Sequence, residues 1–312
     1  MKQLHREIDY FVAHIQELGR SVNTAESYRR DLEKFASYLI QEQVLTWDIV
    51  RHDDVVLFLQ RLQKEQYAIA STTRLLSSLR KFFSFLVEQK IILTNPMAQI
   101  KLPKKEKRLP KALTAEEVIR LIRVPDTTTI IGVRDRAMLE LMYAAGLRVS
   151  ELITLTISDI RVQFGFIRVT GKGNKQRIIP IGESAIYWLD IYMQYARVQL
   201  VNEKQENDSL FLNHRGGGFT RQGIWKNLKE LVKKAGITKE VSPHTLRHSF
   251  ATQLLEGGTE IRFVQELLGH ENVITTQIYT HVANKSLTEV YDKTHPRNQM
   301  DIKYIGGEDD EI

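Results

Sequence analysis

The first hundred residues carry apolar side chains at helical spacing. Asn23-Thr24 predicts the N-cap of one helix, and Ser71-Thr72 predicts the start of another. The apolar positions that then recur every three or four residues are Tyr28, Leu32, Phe35 and Leu39, followed by Leu75, Leu79, Phe82, Phe83 and Leu86. Asn95-Pro96 is predicted to end the last helix, because the residue before a proline avoids the helical conformation. Residues 1–100 therefore predict a helical bundle.

The pattern changes from Thr114 onward. Thr114 and Glu117 have the spacing of a capping box, and a helix over residues 133–145 is predicted to end at Gly146. Apolar residues then alternate in three predicted strands: Ile160–Val162, Phe164–Val169 and Arg177–Ile181. The glycine-containing stretch at 171–175 predicts a tight hairpin between the last two strands. Helices are predicted again beyond Gly182, so this part is a mainly helical domain with one small antiparallel sheet.

A basic segment separates the two patterns. Residues 101–113, KLPKKEKRLPKAL, contain two prolines, six Lys or Arg residues and a single acid, without periodicity. The sequence therefore predicts a mainly α protein in four parts: a domain over 1–100, a linker over 101–113, a second domain over 114–297 and an acidic tail over 298–312.

Composition narrows the class of protein. Of 312 residues, 42% are hydrophobic and 26% are charged, and no apolar run reaches the roughly 18–20 residues of a membrane span. The absence of cysteine excludes disulfides, thiolate nucleophiles and Cys-ligated zinc. The charged start MKQLHREIDYF has no signal-peptide pattern, so we expect a cytoplasmic protein. The net charge of +6, despite the acidic end GEDDEI, favours a nucleic-acid partner.

Basic residues outside the apolar stripes have two interpretations. They either form solvated helix and hairpin faces or contact DNA phosphates. The candidates for DNA contact are Arg29, Arg30, Arg74, Arg80 and Lys81 in the first domain, with Lys175 and Arg177 near the predicted hairpin.

Two cationic side chains stand near glycine turns. Arg148, in AAGLRVSEL, is predicted to begin a helix, where a guanidinium and a helix N-terminus both suit a phosphate. Lys172 lies in the hairpin turn, where an ammonium is either solvated or available to donate a proton. An ordinary surface role remains open for each residue.

The segment SPHTLRHSFAT places His244 and Arg247 on one face of a helix that Ser242-Pro243 is predicted to start. His248 lies four residues after His244, a spacing that can also bind zinc. Against zinc, the segment lacks the Glu of HExxH and places an arginine beside the pair. Both interpretations remain open at this point.

His270 and Tyr279 belong to LLGHENVITTQIYTHV. Together with the preceding cations they form a coherent set for phosphoryl transfer: two guanidiniums to bind phosphate oxygens, a lysine as general acid and a tyrosine nucleophile. The sequence has neither a carboxylate cluster suited to two Mg²⁺ ions nor a GxxxxGK[ST] loop, so we expect no metal, nucleotide or other cofactor.

In this order, Arg148, Lys172, His244, Arg247, His270 and Tyr279 resemble the catalytic set of the tyrosine site-specific recombinases (phage integrases), specifically the XerC/XerD type. Four segments resemble the family's boxes over their full length: AAGLRVSEL, GKGNKQRIIPI, SPHTLRHSFAT and LLGHENVITTQIYTHV. NTAESYRRDLEKFASYL and the NPM before the linker resemble the family's core-binding domain of SAM-like fold. The resemblance covers residues 1–297.

The resemblance implies a two-domain clamp around duplex DNA and a nucleophilic Tyr279. Tyr279 would form a 3′-phosphotyrosyl link and release a 5′-hydroxyl, with Lys172 as general acid. Arg148, His244, Arg247 and His270 would hold the phosphate. Four protomers, of this chain alone or with a second Xer-type recombinase, would exchange strands through a Holliday junction.

The resemblance also implies a cellular role. Chromosome or plasmid dimer resolution would assist chromosome partition and cell division under a DNA translocase such as FtsK. A mobile-element integrase or resolvase is the alternative with the same chemistry, and a non-catalytic DNA-binding protein is the alternative from another class. One departure from the family is the extension NQMDIKYIGGEDDEI, which follows the usual HPR ending.

Overall fold

The computed structural model describes residues 2–100, 112–202, 207–269 and 290–299. The chain divides into two compact units, Met1–Arg108 and Leu109–Ile312, and each has its own hydrophobic core. Most of the described residues are helical, and the only sheet among them is small and antiparallel. The predicted fold class is thereby confirmed, while the four boundaries drawn from the sequence stay predictions.

Four helices form residues 2–100: α1 (Lys2–Glu17), α2 (Val22–Gln41), α3 (His52–Lys64) and α4 (Ile69–Glu88). Aromatic rings fill the core between them. The ring centroids of Phe35 and Phe58 are 4.9 Å apart, and those of Trp47 and Phe82 are 4.7 Å apart. Burial of each such ring stabilises the folded state by about 2 kcal/mol. The apolar stripes of the four helices therefore supply much of the stability of this unit.

Both predicted helix starts in this unit are wrong by two residues. Ser21 caps α2, because its Oγ accepts a hydrogen bond from the backbone N–H of Thr24; the cap is not Asn23-Thr24. α4 begins at Ile69, so Ser71-Thr72 lie inside its first turn. Hydroxyl side chains suit helix caps but are tolerated inside the first turn, and the pattern alone did not distinguish the two positions.

The predicted end of α4 is also wrong. The helix ends at Glu88, and Lys90 adopts a left-handed conformation with a φ of 57°. Asn95-Pro96 instead lies in a turn, where Oδ1 of Asn95 accepts a hydrogen bond from the backbone N–H of Met97. Pro96 is therefore part of a turn that follows α4, and it does not end the helix.

The second unit is also mainly helical. Its α-helices that lie wholly within the described residues are α5 (Ala115–Ile122), α6 (Ile130–Ala145), α7 (Val149–Thr154), α8 (Glu183–Ile191), α9 (Arg197–Leu200), α10 (Arg221–Lys234), α11 (Pro243–Glu256) and α12 (Ile261–Leu268). A π-helical turn, Tyr192–Ala196, joins α8 to α9. The predicted capping box of Thr114 and Glu117 is confirmed at the start of α5, and Gly146 ends α6 as predicted.

The sheet consists of β1 (Ile160–Arg161), β2 (Phe166–Thr170) and β3 (Gln176–Pro180), antiparallel and in that order. The second strand begins two residues later than predicted, because Gly165 reverses the chain with a φ of 65°. The hairpin between β2 and β3 is confirmed. Its turn uses left-handed conformations at Gly173 and Asn174.

Residues 290–299 pack against α6. Tyr291 Oη donates to the carbonyl of Ala144 at 2.9 Å, and Arg297 donates to both carboxylate oxygens of Glu140, at 2.6 and 3.1 Å. His295 is buried beside the rings of Tyr143 and Tyr291. Of the predicted acidic tail, residues 298 and 299 alone lie in the described part of the chain.

No helix in the described ranges combines the length and apolar character that crossing a membrane requires.

Candidate functional site

Arg148 occupies the short connection between α6 and α7. Gly146, with a φ of 55°, turns the chain out of α6, and a Cβ at this position would lie 2.4 Å from a ring carbon of Phe250. Only glycine fits both the conformation and the space. Arg148 is then the N-cap of α7, which confirms the prediction that it begins a helix, and its side chain is 42% exposed.

Glu151, one turn into α7, is the buried centre of this region. Its Oε2 accepts the backbone N–H of Arg148, and its Oε1 accepts the guanidinium of Arg148, each at 2.8 Å. Burial acts to raise the pKa of Glu151, but hydrogen bonds and charge from Arg177, together with hydrogen bonds from Arg148, outweigh it and lower the pKa. The carboxylate is therefore ionised at neutral pH.

Arg177, on β3, makes a second contact with this carboxylate. Its Nη1 and Nη2 donate to the two oxygens of Glu151, at 2.9 and 3.0 Å. Its Nε donates to the carbonyl of Leu267 in α12, also at 2.9 Å. The side chain is only 10% exposed. All three nitrogens of its guanidinium group have partners inside the protein, and the contact with DNA that the sequence suggested for Arg177 stays a prediction.

Arg247 lies on α11 and is buried. Nη1 donates to the carbonyl of Gly146 at 2.7 Å and lies 3.7 Å from Oε2 of Glu151. Nη2 donates to the carbonyl of Leu268 at 2.5 Å. Burial, and then the nearby charge of Arg148, lower the pKa of Arg247 to about 10, so the guanidinium stays charged at pH 7.

We refer to Glu151 with Arg148, Arg177 and Arg247 as the arginine cluster. Three positive charges against one negative charge leave it with a net charge of +2. Two of the three guanidiniums, those of Arg148 and Arg247, belong to residues that the sequence predicted to bind phosphate. Because the cluster is fixed by a buried carboxylate and by backbone carbonyls, it can bind an anion without reorganising.

The predicted start of α11 is confirmed. Ser242 is its N-cap and Pro243 its first residue. His244 is exposed in the first turn, one turn before Arg247, and His248 is half-buried. Among residues 2–100, 112–202, 207–269 and 290–299, no group of three or more potential metal ligands lies together.

Three of the predicted catalytic residues lie partly or wholly outside the described part of the structure. The backbone of Lys172 lies in the turn between β2 and β3, as predicted, but its side chain is outside the described part of the structure. His270 and Tyr279 lie outside the described residues. Their roles stay predictions.

Arg29 and Arg30, on α2, differ in their partners. Arg29 is ion-paired with Asp9 of α1, and this hydrogen bond raises its pKa. Arg30 donates to the carbonyl of Glu26 in its own helix, at 3.3 Å. Neither contact buries the guanidinium, so both remain candidates for DNA contact.

Arg74 and Arg80, on α4, are held by other elements. Arg74 donates to Oδ2 of Asp31 at 2.6 Å, and the same oxygen accepts the hydroxyl of Ser78 at 2.7 Å. Asp31 is buried, whereas the Arg74 side chain is 54% exposed. Arg80 donates to the carbonyl of Ile100 at 2.6 Å, which gives it a structural contact.

The two lysines among the candidates are exposed. Lys81 Nζ lies 5.5 Å from the ring centre of Tyr28, and Lys175 lies at the base of the β2–β3 hairpin. Both remain candidates for phosphate contact.

Glu151 is the residue of the arginine cluster that the sequence interpretation missed. The signal was present, since Glu151 follows Arg148 by three residues, the spacing of a capping box. Its contacts with Arg177 and Arg247 depend on the fold and not on local spacing.

The comparisons with known proteins identify the family of the chain. Residues 111–286 match the phage integrase family, and residues 8–90 match the phage integrase N-terminal SAM-like domain. A tyrosine recombinase XerD of Listeria innocua is 48% identical over 93% of this chain and 98% of its own length. A tyrosine recombinase XerD of Listeria monocytogenes is 46% identical over the same shares.

A solved structure extends the comparison. The crystal structure of the XerH site-specific recombinase, bound to palindromic difH substrate in a post-cleavage complex, has a TM-score of 0.65 and 25% identity. The alignment covers 87% of this chain and 80% of that one. The resemblance to the family stated from the sequence is confirmed.

Proposed function

The chain belongs to the phage integrase family of tyrosine recombinases, and we propose that it is an Xer-type site-specific recombinase whose nucleophile is Tyr279. The observation that carries this proposal is the arginine cluster, which holds Arg148 and Arg247 beside one buried carboxylate. Such a pair suits the non-bridging oxygens of a scissile phosphate. His244 and His270 complete the predicted phosphate-binding set.

The chemistry is a transfer of the phosphoryl group to tyrosine and back. Tyr279 Oη bonds to the phosphorus, and the bond from phosphorus to O5′ breaks, leaving a 3′-phosphotyrosyl link. The phenolic proton passes to solvent, and the Lys172 ammonium gives a proton to the departing O5′. The 5′-hydroxyl of a second strand reverses these steps and rejoins the DNA.

The fixed guanidiniums supply the electrostatic part of catalysis. Negative charge grows on the non-bridging oxygens in the transition state, and each preorganised donor is typically worth roughly 3 kcal/mol. Arg247 suits this role because two backbone carbonyls orient its guanidinium while Glu151 lies 3.7 Å away.

We also propose an assembly and a biological role of the kind that the family resemblance implies. The protein acts on duplex DNA in the cytoplasm as a tetramer, with itself or with a second Xer-type recombinase, through a Holliday junction. Its task is dimer resolution during chromosome partition and cell division, with an FtsK-like translocase as regulator. The XerD relatives support this role, and the net charge of +6 supports the DNA partner.

The test is a nicked suicide duplex carrying a site selected for binding to this protein. Loss of the short fragment beyond the nick prevents religation, so a covalent complex accumulates on a denaturing gel. We expect this complex with the parent protein in EDTA and none with Tyr279→Phe. Tyr195→Phe is the matched control, because Tyr195 is an exposed tyrosine of the same unit, 67% accessible. A complex that persists in Tyr279→Phe contradicts the proposed nucleophile, and its loss in EDTA contradicts the metal-free mechanism.

A further inference from the structure

We infer that Arg177 is a positioning residue for protonation of the leaving oxygen: it fixes the β2–β3 hairpin, which carries Lys172, to the arginine cluster. This inference rests on the proposed function. It replaces the expectation that Arg177 is a DNA ligand.

The contacts of Arg177 join three elements of the second unit. The residue belongs to β3, its Nη1 and Nη2 bind Glu151 of α7, and its Nε binds the carbonyl of Leu267 in α12. All three of its nitrogens therefore have partners inside the protein. A guanidinium that is 10% exposed and paired with a carboxylate has little capacity left to neutralise a DNA phosphate.

The guanidinium also lies against the base of the hairpin turn. A Cβ built on Gly171, the residue before Lys172, would be 3.6 Å from Nη1 of Arg177. The backbone N–H of Gly171 donates to the carbonyl of Lys175 at 2.7 Å, which closes the turn. The turn that carries Lys172 is thus closed directly above the Arg177–Glu151 ion pair.

The other side of Arg177 contacts the end of α12. A Cβ built on Gly269 would lie 3.1 Å from Nη1 of Arg177, so the chain passes close to the guanidinium at this glycine. The Arg177 side chain therefore contacts the turn that carries Lys172, the end of α12 and Glu151. Through Glu151 it is also connected to Arg148.

Protonation is the step most sensitive to this arrangement. As Tyr279 Oη bonds to phosphorus and the bond to O5′ breaks, Lys172 must deliver its proton to O5′, while the phenolic proton passes to solvent. General acid catalysis requires the donor within hydrogen-bond distance of the leaving atom. Without the contacts of Arg177 with Glu151 and Leu267, the hairpin samples other positions. Lys172 then lies within hydrogen-bond distance of O5′ less often, and proton transfer to O5′ becomes slower.

The experiment compares two DNA substrates, one ordinary and one with sulfur in place of the bridging O5′. A thiol has a pKa of about 8.5, so a thiolate leaves without a proton and bypasses the general acid. The variants are Arg177→Met and Arg177→Lys. Gln176→Met is the matched control, because Gln176 is the exposed neighbour on the same strand. The measurements are the single-turnover rate of covalent complex formation at saturating protein, the DNA affinity and its salt dependence.

For Arg177→Met we expect at least a tenfold slower rate on the ordinary substrate and at most a threefold slower rate on the sulfur substrate. DNA affinity should stay within twofold, with an unchanged salt slope, and Gln176→Met should match the parent throughout. Arg177→Lys keeps one charge for Glu151 but cannot reach Leu267 as well, so it should show the same selective defect at smaller size.

Two results would overturn the inference. An equal defect on both substrates, in whichever variant still binds DNA, means that Arg177 does not act through Lys172. Weaker binding and a smaller salt slope with unchanged rates mean that Arg177 is a DNA ligand. Lys175→Met is the reference for weaker binding with a smaller salt slope, because Lys175 is an exposed candidate for phosphate contact. Failure of the proposed function is distinct, because then the parent protein forms no covalent complex on either substrate.

Discussion

Glu151 holds Arg148 twice, once through the backbone N–H and once through the guanidinium. The first bond caps α7, and the second sets the direction of the half-exposed side chain. The same carboxylate binds the largely buried Arg177, so capping, ion pairing and the orientation of Arg148, the proposed phosphate ligand, depend on one residue. Replacing it should affect stability and catalysis together.

We expect Glu151→Gln to lower the free energy of unfolding by roughly 3 kcal/mol at pH 7, because it leaves the buried Arg247 and the largely buried Arg177 without their counter-charge. The folded pKa of Glu151 lies below its ordinary value, so its ionised form stabilises the fold above about pH 4.3. That contribution is lost as pH falls through the lowered folded pKa. Urea unfolding across this range should show the two proteins converging at low pH.

The control for this variant is Glu256→Gln, which removes an exposed carboxylate from α11. It should unfold like the parent protein at pH 7. A pH-independent difference between parent and Glu151→Gln would contradict the electrostatic explanation.

Local spacing explains what the sequence could predict. Three helix ends were predicted correctly because each depends on residues only a few positions apart. They are the start of α5 at Thr114 and Glu117, the end of α6 at Gly146 and the start of α11 at Ser242-Pro243. The starts of α2 and α4 were misplaced because several hydroxyl residues near each start can serve as caps.

Contacts between distant residues could not be predicted in this way. Arg177 is 26 positions from Glu151 and 90 from Leu267, and on the sequence it is simply one more basic residue near a hairpin. Arg297 is 157 positions from Glu140. Only the fold brings these charges together, so their pairing carried no periodic or spacing signal.

His295 should make stability depend on pH below 6.5. Burial lowers the pKa of His295 to about 3, and the charge of Arg297 acts in the same direction. A hydrogen bond with the backbone of Tyr143 partly opposes this shift. The unfolded chain binds a proton below pH 6.5 that the folded chain does not, so stability falls as the pH falls. The loss from this residue should reach about 2 kcal/mol at pH 5.

His295→Asn tests this dependence. Its amide oxygen can replace Nδ1 as acceptor of the Arg297 backbone N–H, and it does not titrate. The variant should be less stable at pH 7, because it loses ring contacts, but its stability should decline less between pH 7 and 5. Parallel curves from chemical unfolding would contradict the assignment.

Arg74 should contribute to DNA affinity through charge. It is half exposed and is fixed by the buried Asp31, so its free N–H groups are already oriented. Arg74→Ala should weaken DNA binding and reduce the slope of log K against log salt by about one. Lys64→Ala, which removes an exposed charge from α3, is the comparison. Equal losses in the two variants would indicate a general charge effect and not a specific contact.

Gly146→Ala should destabilise the second unit by about 3 kcal/mol. A positive φ costs an alanine roughly 1 kcal/mol, and the clash between the new Cβ and the Phe250 ring adds about 2 kcal/mol. A double-mutant cycle separates the two causes. In a Phe250→Ala background the same change should cost only about 1 kcal/mol, because the Cγ and ring carbons close to the new Cβ are absent. An equal cost in both backgrounds would mean that the backbone conformation, and not the contact with α11, accounts for glycine at this turn beside Arg148.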